Sequence, residues 1–461
     1  MRAGLTVLLT LLGASAALAG PRIPIAERLR DEALAGSQGH ALIESLTTEV
    51  GPRLAGSEAD ARAVAWAEAT LRRLGYDRVW KEPVRIPRWV RRHERARIVG
   101  AHGQPLMVTA LGHSVGTGGA LRAEVVRLPD LEALRAIDDD RLAGRIVFLD
   151  QRMERHRDGA GYGRAAEGRA QGPREAAARG ARAFLMRSAG TDSHRFPHTG
   201  NTYRAEDGRD IPAAALSNPD ADQLARLLRR GPVEVELDLD VGFEGEAESW
   251  NVIGEITGTR PQAGIVLLGA HLDSWDLGTG AVDDGAGIGI TFAAGAAIAA
   301  LDTRPQRSIR VVAFAAEEVG LLGAKAYAHD NADLLPGHVF AIESDFGAGR
   351  IHAFRAGIAD AAWDSLQPWL AVLAPLGIEI DRSPGGPGPD ILPLQQAGVP
   401  WGALRQDGTD YFDYHHTADD TLDKIDPAAI DQQVAAYAAL AWLIADGELE
   451  LRPAPPAPPR R

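Results

Sequence analysis

Five short clusters of histidine and carboxylate residues are the part of this sequence that could carry out chemistry. The clusters are His271-Leu272-Asp273, Asp283-Asp284, Glu317-Glu318, Asp345 and His415-His416. Imidazole nitrogens and carboxylate oxygens are the ligands from which zinc sites are built in the absence of thiolates. The sequence contains no cysteine, which excludes thiolate zinc sites and iron–sulfur clusters. These residue types therefore favour a site for divalent metal ions.

The first two clusters have structural interpretations as well as this chemical one. His271 alone would more often be a buried or surface histidine, but Asp273 follows two residues later and could hydrogen-bond its imidazole. Asp283-Asp284 precedes Gly285 and could form a turn or cap a helix. One aspartate would suffice for a cap, and two adjacent carboxylates repel each other unless a cation lies between them. The aspartate pair therefore favours a metal site.

The remaining clusters are also ambiguous when each is taken alone. Glu317-Glu318 could open a solvent-facing helix, where acids suit the N-terminal dipole. Both acids directly follow an apolar run, however, and neighbouring carboxylates can divide two roles, one binding a metal and the other accepting a proton from activated water. Asp345 could be a turn residue, and His415-His416 could be a pair in an exposed loop. Their placement relative to the predicted strands decides between these alternatives.

The elements predicted around these clusters would bring them together. From residue 251, apolar runs typical of buried strands alternate with helical patterns. The predicted strands are residues 265–269, 308–315, 339–342 and 401–404, and the predicted helices are residues 288–301, 323–329, 361–374 and 427–444. This alternation predicts an α/β fold with a mixed, mostly parallel sheet covered by helices on both faces. Ligands of open α/β sheets bind beyond the carboxyl ends of the strands, so we expect the clusters to meet at one rim.

A second, smaller domain is predicted to interrupt this pattern. The predicted divisions are a signal peptide (1–20), a catalytic α/β domain in two parts (21–95 and 243–448), a β-rich inserted domain (96–242) and a disordered Pro-rich tail (449–461). Inside the inserted domain, residues 151–175 and 187–212 are rich in Gly, Arg and His. We interpret both of these stretches as long loops.

Charge and the N-terminus restrict the partners and the location. The formal net charge of -14 disfavours nucleic acid, whose phosphates are bound by clustered Lys and Arg. Residues 1–20 have the pattern of a signal peptide, with Arg2, an apolar core at 5–12 and a small-residue cleavage site at 17–19. The apolar core is too short to span a bilayer. We therefore predict a secreted or periplasmic protein that is free of the membrane after cleavage of the signal peptide.

Taken together, the clusters resemble the motifs of one family, the two-zinc exopeptidases of the bacterial aminopeptidase and glutamate carboxypeptidase type (clan MH). The similarity covers most of residues 26–448 and is closest to the branch that contains carboxypeptidase Q. The matching motifs are GAHLDSWDLGTGAVDDGAGI, AFAAEEVGLLGA, ESDFG and DYFDYHHTADDTLDKID. Within the inserted domain, LAGRIVFLD and REAAARGARAFLMRS resemble a protease-associated domain, which several members of the family contain.

The resemblance implies two zinc ions per chain, held by five side chains. The implied ligands are His271, Asp283, Glu318, Asp345 and His416. Asp283 would bridge the two ions. His271 and Asp345 would complete the coordination of one ion, and Glu318 and His416 that of the other. His416 rather than His415 is the implied ligand because an acid and a threonine follow His416 at the distances seen in the family.

The resemblance also implies which residues act on water. Glu317 would be the general base that accepts the proton of water and returns it to the leaving amine, and Asp273 would orient His271. The peptide bond after Asp283 is expected to be cis. The reaction would be direct attack of water on the scissile carbonyl, without an acyl-enzyme. Ser274 lacks a paired histidine and base, which disfavours a serine hydrolase.

Substrate choice is predicted only as a class. The resemblance favours small peptides, dipeptides especially, cut next to a free terminus, and it is compatible with a homodimer. Residues 385–390, Tyr411 and Tyr414 lie near the metal motifs in sequence and are interpreted as pocket residues, with core packing as the alternative for the tyrosines. Three other functions remain open: a glutaminyl cyclase, which uses a related scaffold with one zinc, a receptor-like member without catalysis, and a non-catalytic binding module.

Overall fold

The computed structural model describes residues 22–205 and 208–452. The predicted signal peptide and the part of the predicted tail from residue 453 onward lie outside these residues. At the start of that tail, Leu451 is buried in the core, so the packed structure extends beyond the predicted boundary at residue 448.

In the described part of the chain, fourteen strands join in a single sheet, and helices pack on it. The strands are β1 (Arg78–Ile98), β2 (Gln104–Leu106), β3 (Val108–Ala110), β4 (Leu121–Leu128), β5 (Ile146–Leu149), β6 (Ala183–Arg187), β7 (Ala213–Leu216), β8 (Glu234–Ile256), β9 (Ile265–His271), β10 (Ser308–Phe314), β11 (His338–Glu343), β12 (Ile351–Gly357), β13 (Glu379–Ile380) and β14 (Trp401–Gln406). The helices are α1 (Arg22–Ala35), α2 (Gly39–Glu49), α3 (Glu58–Arg73), α4 (Leu131–Ala136), α5 (Tyr162–Ala178), α6 (Asn218–Leu228), α7 (Ala286–Ala299), α8 (Leu322–Asp330), α9 (Asp360–Leu370), α10 (Leu392–Gln396), α11 (Tyr411–Tyr414) and α12 (Pro427–Ala445).

The strands that precede the predicted metal residues are parallel neighbours. β9 pairs in parallel with β10 on one side and with β11 on the other, and β14 continues the parallel set beside β11. β8 and β12 add antiparallel strands at the two sides of this set. The predicted α/β class, with a mixed and mostly parallel sheet covered by helices, is confirmed. Because β9 and β10 are buried on both faces, their sequences are continuous apolar runs.

Two helices beside this sheet are apolar on all sides. Residues of α7 and α12 share one core cluster with Val266 and Leu268 of β9, whereas Leu267 belongs to a separate cluster with Tyr327 of α8. Alternate residues of β9 therefore serve the cores on opposite faces of the sheet. α7 and α12 belong to helical stretches long and apolar enough to cross a membrane, yet most of their residues are buried inside the protein. An apolar surface on every side is typical of such fully buried helices.

Two very long strands join the inserted part of the chain to the catalytic sheet. β1 and β8 pair antiparallel along almost their entire length. At one end β8 also pairs with β10, and at the other end it pairs with β4. The insertion, defined here as residues 99–233, thus shares one sheet with the catalytic part. The predicted domain boundaries at residues 96 and 242 fall inside β1 and β8.

Helix α5 corrects the prediction that residues 151–175 form a loop. Glycine disfavours an isolated helix, and this stretch contains several. In the folded chain, however, Gly168 and Gly172 lie against Leu149 and Phe184, and a Cβ atom there would approach these side chains to 2.9 Å and 2.4 Å. Close packing on β5 and β6 therefore stabilises a helix that local propensity does not predict.

Asp60 ties α3 to β8 and is almost fully buried. Ser57, the N-cap of α3, accepts a hydrogen bond from the Asp60 N–H at 3.1 Å. The Asp60 carboxylate accepts the Gly56 N–H at 2.8 Å and the Ser249 hydroxyl at 2.9 Å. Burial outweighs these hydrogen bonds and raises the pKa of Asp60 to about 7.

This shift predicts a pH dependence of stability that Asp60→Asn should remove. An unfolded aspartate has a pKa of about 3.9, so the native state binds the Asp60 proton more tightly than the unfolded state does. The stability that this proton confers is complete below about pH 4 and is lost as the pH rises through about 7. Relative to Asp60→Asn, the free energy of unfolding of the wild type should fall by roughly 3 kcal/mol between about pH 5 and about pH 8.

The measurement is urea denaturation of zinc-free protein at several pH values. Asp302→Asn, at an exposed position, is the matched control and should parallel the wild type. A difference between wild type and Asp60→Asn that stays constant over this pH range would contradict the prediction.

Candidate metal centre

The predicted metal residues lie at the carboxyl ends of neighbouring strands. β9 ends at His271 itself, and Glu317 and Glu318 follow shortly after the end of β10. Asp345 comes just after β11, and His416 follows β14 through the short helix α11. Because these strands are parallel, their carboxyl ends meet at one edge of the sheet, where the clusters were predicted to converge.

Asp283 lies between two groups of ligand atoms. Its Oδ1 is 3.2 Å from His271 Nε2, which is itself 3.6 Å from Asp345 Oδ1. This group is called the first metal position. The other oxygen, Asp283 Oδ2, is 3.2 Å from His416 Nε2, which is 3.0 Å from Glu318 Oε2. This group is called the second metal position.

The spacing and chemistry of these atoms fit a pair of divalent ions. Ligand atoms about 2 Å from a tetrahedral zinc ion lie roughly 3.3 Å from one another. Two buried oxygens, Asp283 Oδ2 and Glu318 Oε1, have no hydrogen-bond partner among the described residues. A bound cation would satisfy such atoms, which are otherwise costly to bury. The side chains present thus fit the two ions that the motifs imply.

Hydrogen bonds to backbone carbonyls turn both histidines toward Asp283. His271 Nδ1 lies 3.0 Å from the Asp273 carbonyl oxygen, and His416 Nδ1 lies 3.2 Å from the Thr199 carbonyl oxygen. A carbonyl oxygen can only accept, so each Nδ1 carries a proton and donates it. Each Nε2 is then available to bind a cation.

Asp273 contacts the backbone of Glu317 and Glu318 in addition to orienting His271. Its carboxylate is 3.7 Å from His271 Nδ1, beyond hydrogen-bond distance, and its backbone carbonyl accepts the imidazole proton instead. The carboxylate accepts the N–H groups of Glu317 at 3.0 Å and of Glu318 at 3.3 Å. Asp273 therefore fixes the backbone of the acidic pair as well as the ring of His271.

The two adjacent glutamates have different surroundings. Glu318 faces His416, whereas Glu317 has no basic group within salt-bridge distance among the described residues. Burial of the Glu317 carboxyl, together with the nearby carboxylates of Asp345 and Glu318, raises the pKa of Glu317 well above its usual value. A carboxyl group that holds a proton more readily than usual is suited to act as a base near neutral pH.

Asp284 shapes the loop and belongs to neither metal position. Its Oδ2 accepts the His271 N–H at 3.1 Å, and its Oδ1 accepts the Gly287 N–H at 3.0 Å. The peptide bond between Asp283 and Asp284 is cis, as the resemblance implied. The two neighbouring aspartates thus have separate tasks, and of the two it is Asp283 that presents its oxygens to the ring nitrogens of His271 and His416.

His415 lies close to the centre, but its contacts are less suited to metal binding than those of His416. Its Nε2 is 3.6 Å from Asp283 Oδ2, so these two residues and His416 also form a ligand-like group. Burial, and then the neighbouring His416, lowers the pKa of His415 well below its usual value. Its ring stacks on that of His416, with centroids 3.5 Å apart. Only His416 also lies within salt-bridge distance of Glu318 among the described residues.

Two further buried residues, Arg53 and Asp420, hold the loop around Asp283. Arg53 donates to the carbonyl oxygens of Thr279 at 2.7 Å and Gly280 at 2.9 Å. Asp420 accepts the Asp283 N–H at 3.2 Å, and burial raises the pKa of Asp420 to about 7. These contacts join residues 226, 227 and 137 positions apart. No local pattern in the sequence signals either role.

A cleft of ≈ 690 Å³ lies over the metal positions. Part of its wall comes from the insertion, through α5 and Asn201. Tyr411 and Pro389, both predicted as pocket residues, also line it. Tyr414, predicted with them, is not among the lining residues, and the Lys424 Nζ lies 5.5 Å from its ring centroid.

Comparison with known proteins identifies one family. Residues 251–441 match peptidase family M28. Carboxypeptidase Q of Mus musculus is 33% identical over 403 residues, which cover 87% of this chain and 84% of that protein. The crystal structure of a peptidase M28 precursor from Shewanella amazonensis SB2B is 49% identical with a TM-score of 0.91, and the match covers 94% of this chain and 99% of that chain.

A more distant solved structure shares the fold. It is a zinc aminopeptidase from Bacillus subtilis, 19% identical with a TM-score of 0.65, and the match covers 90% of this chain and 97% of that chain. The long match to carboxypeptidase Q confirms the resemblance that the motifs indicate. By sequence over most of its length and by fold, the chain belongs to peptidase family M28.

Proposed function

We propose that this protein is a secreted or periplasmic exopeptidase that hydrolyses small peptides with two zinc ions per chain. The observation that carries the proposal is the position of Asp283, whose two oxygens each lie 3.2 Å from a histidine nitrogen, one of His271 and one of His416. A carboxylate with this arrangement can bridge two ions. Kinship with carboxypeptidase Q, and the shared fold of a zinc aminopeptidase, support peptide-bond cleavage with zinc.

In this proposal Glu317 carries out the proton transfers. The residues that hold the ions are His271, Asp283, Glu318, Asp345 and His416. Bound zinc supplies Lewis acidity, which activates water and polarises the scissile carbonyl. Glu317 accepts the proton of the attacking water and returns it to the leaving amine. The bond from the Glu317 N–H to Asp273 holds the base beside Glu318, at the wall of the cleft.

Short peptides, dipeptides in particular, are the proposed substrates. The cleft of ≈ 690 Å³ is within the usual size range of small-molecule sites, and a wall from the insertion limits its extent. The Tyr411 ring packs beside Phe346, with centroids 5.1 Å apart, and both line the cleft as an apolar surface for a substrate side chain. The net charge of -14 argues against nucleic acid as a partner.

A dipeptide screen with zinc measured on the same sample tests this function. We expect about two zinc equivalents, hydrolysis of unblocked dipeptides, loss of activity with a chelator and recovery with added zinc. N-acetylated and C-amidated dipeptides then show which free terminus is required. The proposal fails if carefully prepared protein binds less than one equivalent and gains no peptidase activity with zinc or cobalt.

Glu317→Gln should abolish turnover while leaving zinc binding intact. Glutamine keeps the size of the side chain but cannot accept the proton, so kcat should fall by about a hundredfold or more. Zinc content is measured on the same preparation, because Glu317 is not among the proposed ligands. Glu167→Gln, the same substitution elsewhere in the cleft wall, is the matched control and should keep most of the activity. A near-normal kcat in Glu317→Gln would show that Glu317 is not the general base.

His416→Ala and His415→Ala should differ sharply in zinc binding. His416→Ala removes a ligand of the second metal position, so one zinc equivalent and nearly all activity should be lost. His415→Ala leaves both positions with their ligands, so zinc content should be unchanged and kcat should fall by no more than about tenfold. Zinc content and kcat are compared for the two variants. The reverse pattern would show that His415 is the ligand.

A further inference from the structure

The two metal positions are supported by different parts of the chain. At the first position, His271 bonds to Asp273 and Asp284, which both belong to the catalytic part. Among the described residues, no hydrogen bond joins the insertion to His271 or Asp345. At the second position, by contrast, both His416 and Glu318 are bonded by residues of the insertion. The insertion therefore contributes to one position and not to the other.

Thr199 forms two hydrogen bonds with His416, one through its backbone carbonyl oxygen and one through its backbone N–H. Its carbonyl oxygen accepts the His416 Nδ1 proton at 3.2 Å, and its N–H donates to the His416 carbonyl oxygen at 3.0 Å. His416 has a φ of 62°, in the left-handed region that a residue with a side chain rarely adopts. Such a backbone conformation persists only where surrounding contacts fix it. Thr199 thus holds both the backbone and the ring of this ligand.

His198 fixes the residue before the ligand. Its Nδ1 lies 2.7 Å from the carbonyl oxygen of His415, and its Nε2 lies 2.8 Å from Asp192 Oδ1. The His198 N–H donates to Ser188 Oγ at 2.8 Å. His198 is 1% exposed, so these bonds are made out of contact with solvent. The loop that carries His416 is therefore anchored to a buried, hydrogen-bonded part of the insertion.

Asn201 reaches the other ligand of the second position. Its side-chain Nδ2 donates to the backbone carbonyl of Glu318. Asp273 binds the N–H of the same residue from the catalytic part. Glu318 is thus held on one side by the catalytic part and on the other side by the insertion.

We propose that residues 198–201 of the insertion are a positioning segment for the second metal position. Zinc affinity at the second position then depends on the insertion, whereas zinc affinity at the first position does not. Thr199 acts on His416 directly, His198 acts on it through the backbone of His415, and Asn201 acts on Glu318. The inference rests on the proposed two-zinc function. Outer-shell partners of this kind commonly change metal affinity by about 10- to 100-fold.

Calorimetric titration of zinc-free protein with zinc tests this inference. Asn201→Ala removes the bond to Glu318, and His198→Gln removes the bonds to His415 and Asp192. Each should weaken one of the two zinc sites by about 10- to 100-fold and leave the other at its wild-type affinity. His102→Gln is the matched control, because His102 lies elsewhere in the insertion at an exposed position, and it should bind zinc like the wild type.

Double variants identify which position is affected. Asp345→Ala removes a ligand of the first position, so the remaining site is the second, and adding Asn201→Ala should weaken it. Glu318→Ala removes a ligand of the second position, so the remaining site is the first, and adding Asn201→Ala should leave it unchanged. Equal weakening of the remaining site in both backgrounds would overturn the inference, as would wild-type affinity in both.

Thermal unfolding of the zinc-free variants separates positioning from a general loss of structure. An unchanged unfolding temperature together with weaker zinc binding supports the inference. If His198→Gln lowers that temperature, the zinc affinity of Asn201→Ala is the deciding measurement, because this substitution removes a single side-chain hydrogen bond and leaves His198 in place. Wild-type protein with fewer than two zinc sites would contradict the two-zinc centre on which this inference rests. If the wild type has two zinc sites and Asn201→Ala changes the affinity of both equally or of neither, only this inference is contradicted.

Discussion

Repulsion among buried carboxylates is the constraint around which this site is built. Asp273, Asp283, Asp284, Glu318 and Asp420 are all buried at one edge of the sheet. Like charges interact strongly when they are removed from water, and each carboxylate also loses its own hydration. Burial first, and then neighbouring acids, accordingly raises the pKa of Asp284 and of Glu318. A group of acids in this state is stable only if positive charge or hydrogen-bond donors compensate for it.

The chain itself provides part of this compensation. Arg53 is 0% exposed and lies close enough to Asp420 and Asp273 that their charges oppose the lowering of its pKa by burial. Backbone N–H groups bind both oxygens of Asp273 and both oxygens of Asp420. One oxygen of Asp283 and one of Glu318 remain without such a donor among the described residues. Of the five acids named above, the two left with an unpaired oxygen are those that face the histidines, which is why the geometry favours cations at these positions. Two other buried acids, Asp390 and Glu343, also have unpaired oxygens among the described residues.

The sequence predicts the ligand side chains more readily than the contacts that hold them. Adjacent acids directly after an apolar strand, as at Glu317, are a local signal, since the strand pattern and the unusual polarity occur together. Arg53 gives no such signal, because its partners are carbonyl oxygens, and three of the four lie more than two hundred residues away. Thr199 acts through its backbone, which every residue possesses. In the sequence the glycines of α5 indicate a loop, because their tight packing against β5 and β6 is visible only in the folded structure.

Continuity of the sheet explains how a separate part of the chain can support a metal ligand. A hydrogen bond orients a ligand only if donor and acceptor are held to within a fraction of an ångström. β1 and β8, of 21 and 23 residues, pair along almost their whole length, and β8 is itself paired with both β4 and β10. The insertion is thus attached through this ribbon and again, on the other side of the cleft, where His198 and Thr199 meet His415 and His416. Attachment at two separate places restricts the rotation of the insertion about either one. The contacts that orient His416 therefore also help to fix the position of the α5 wall, and with it the width of the cleft.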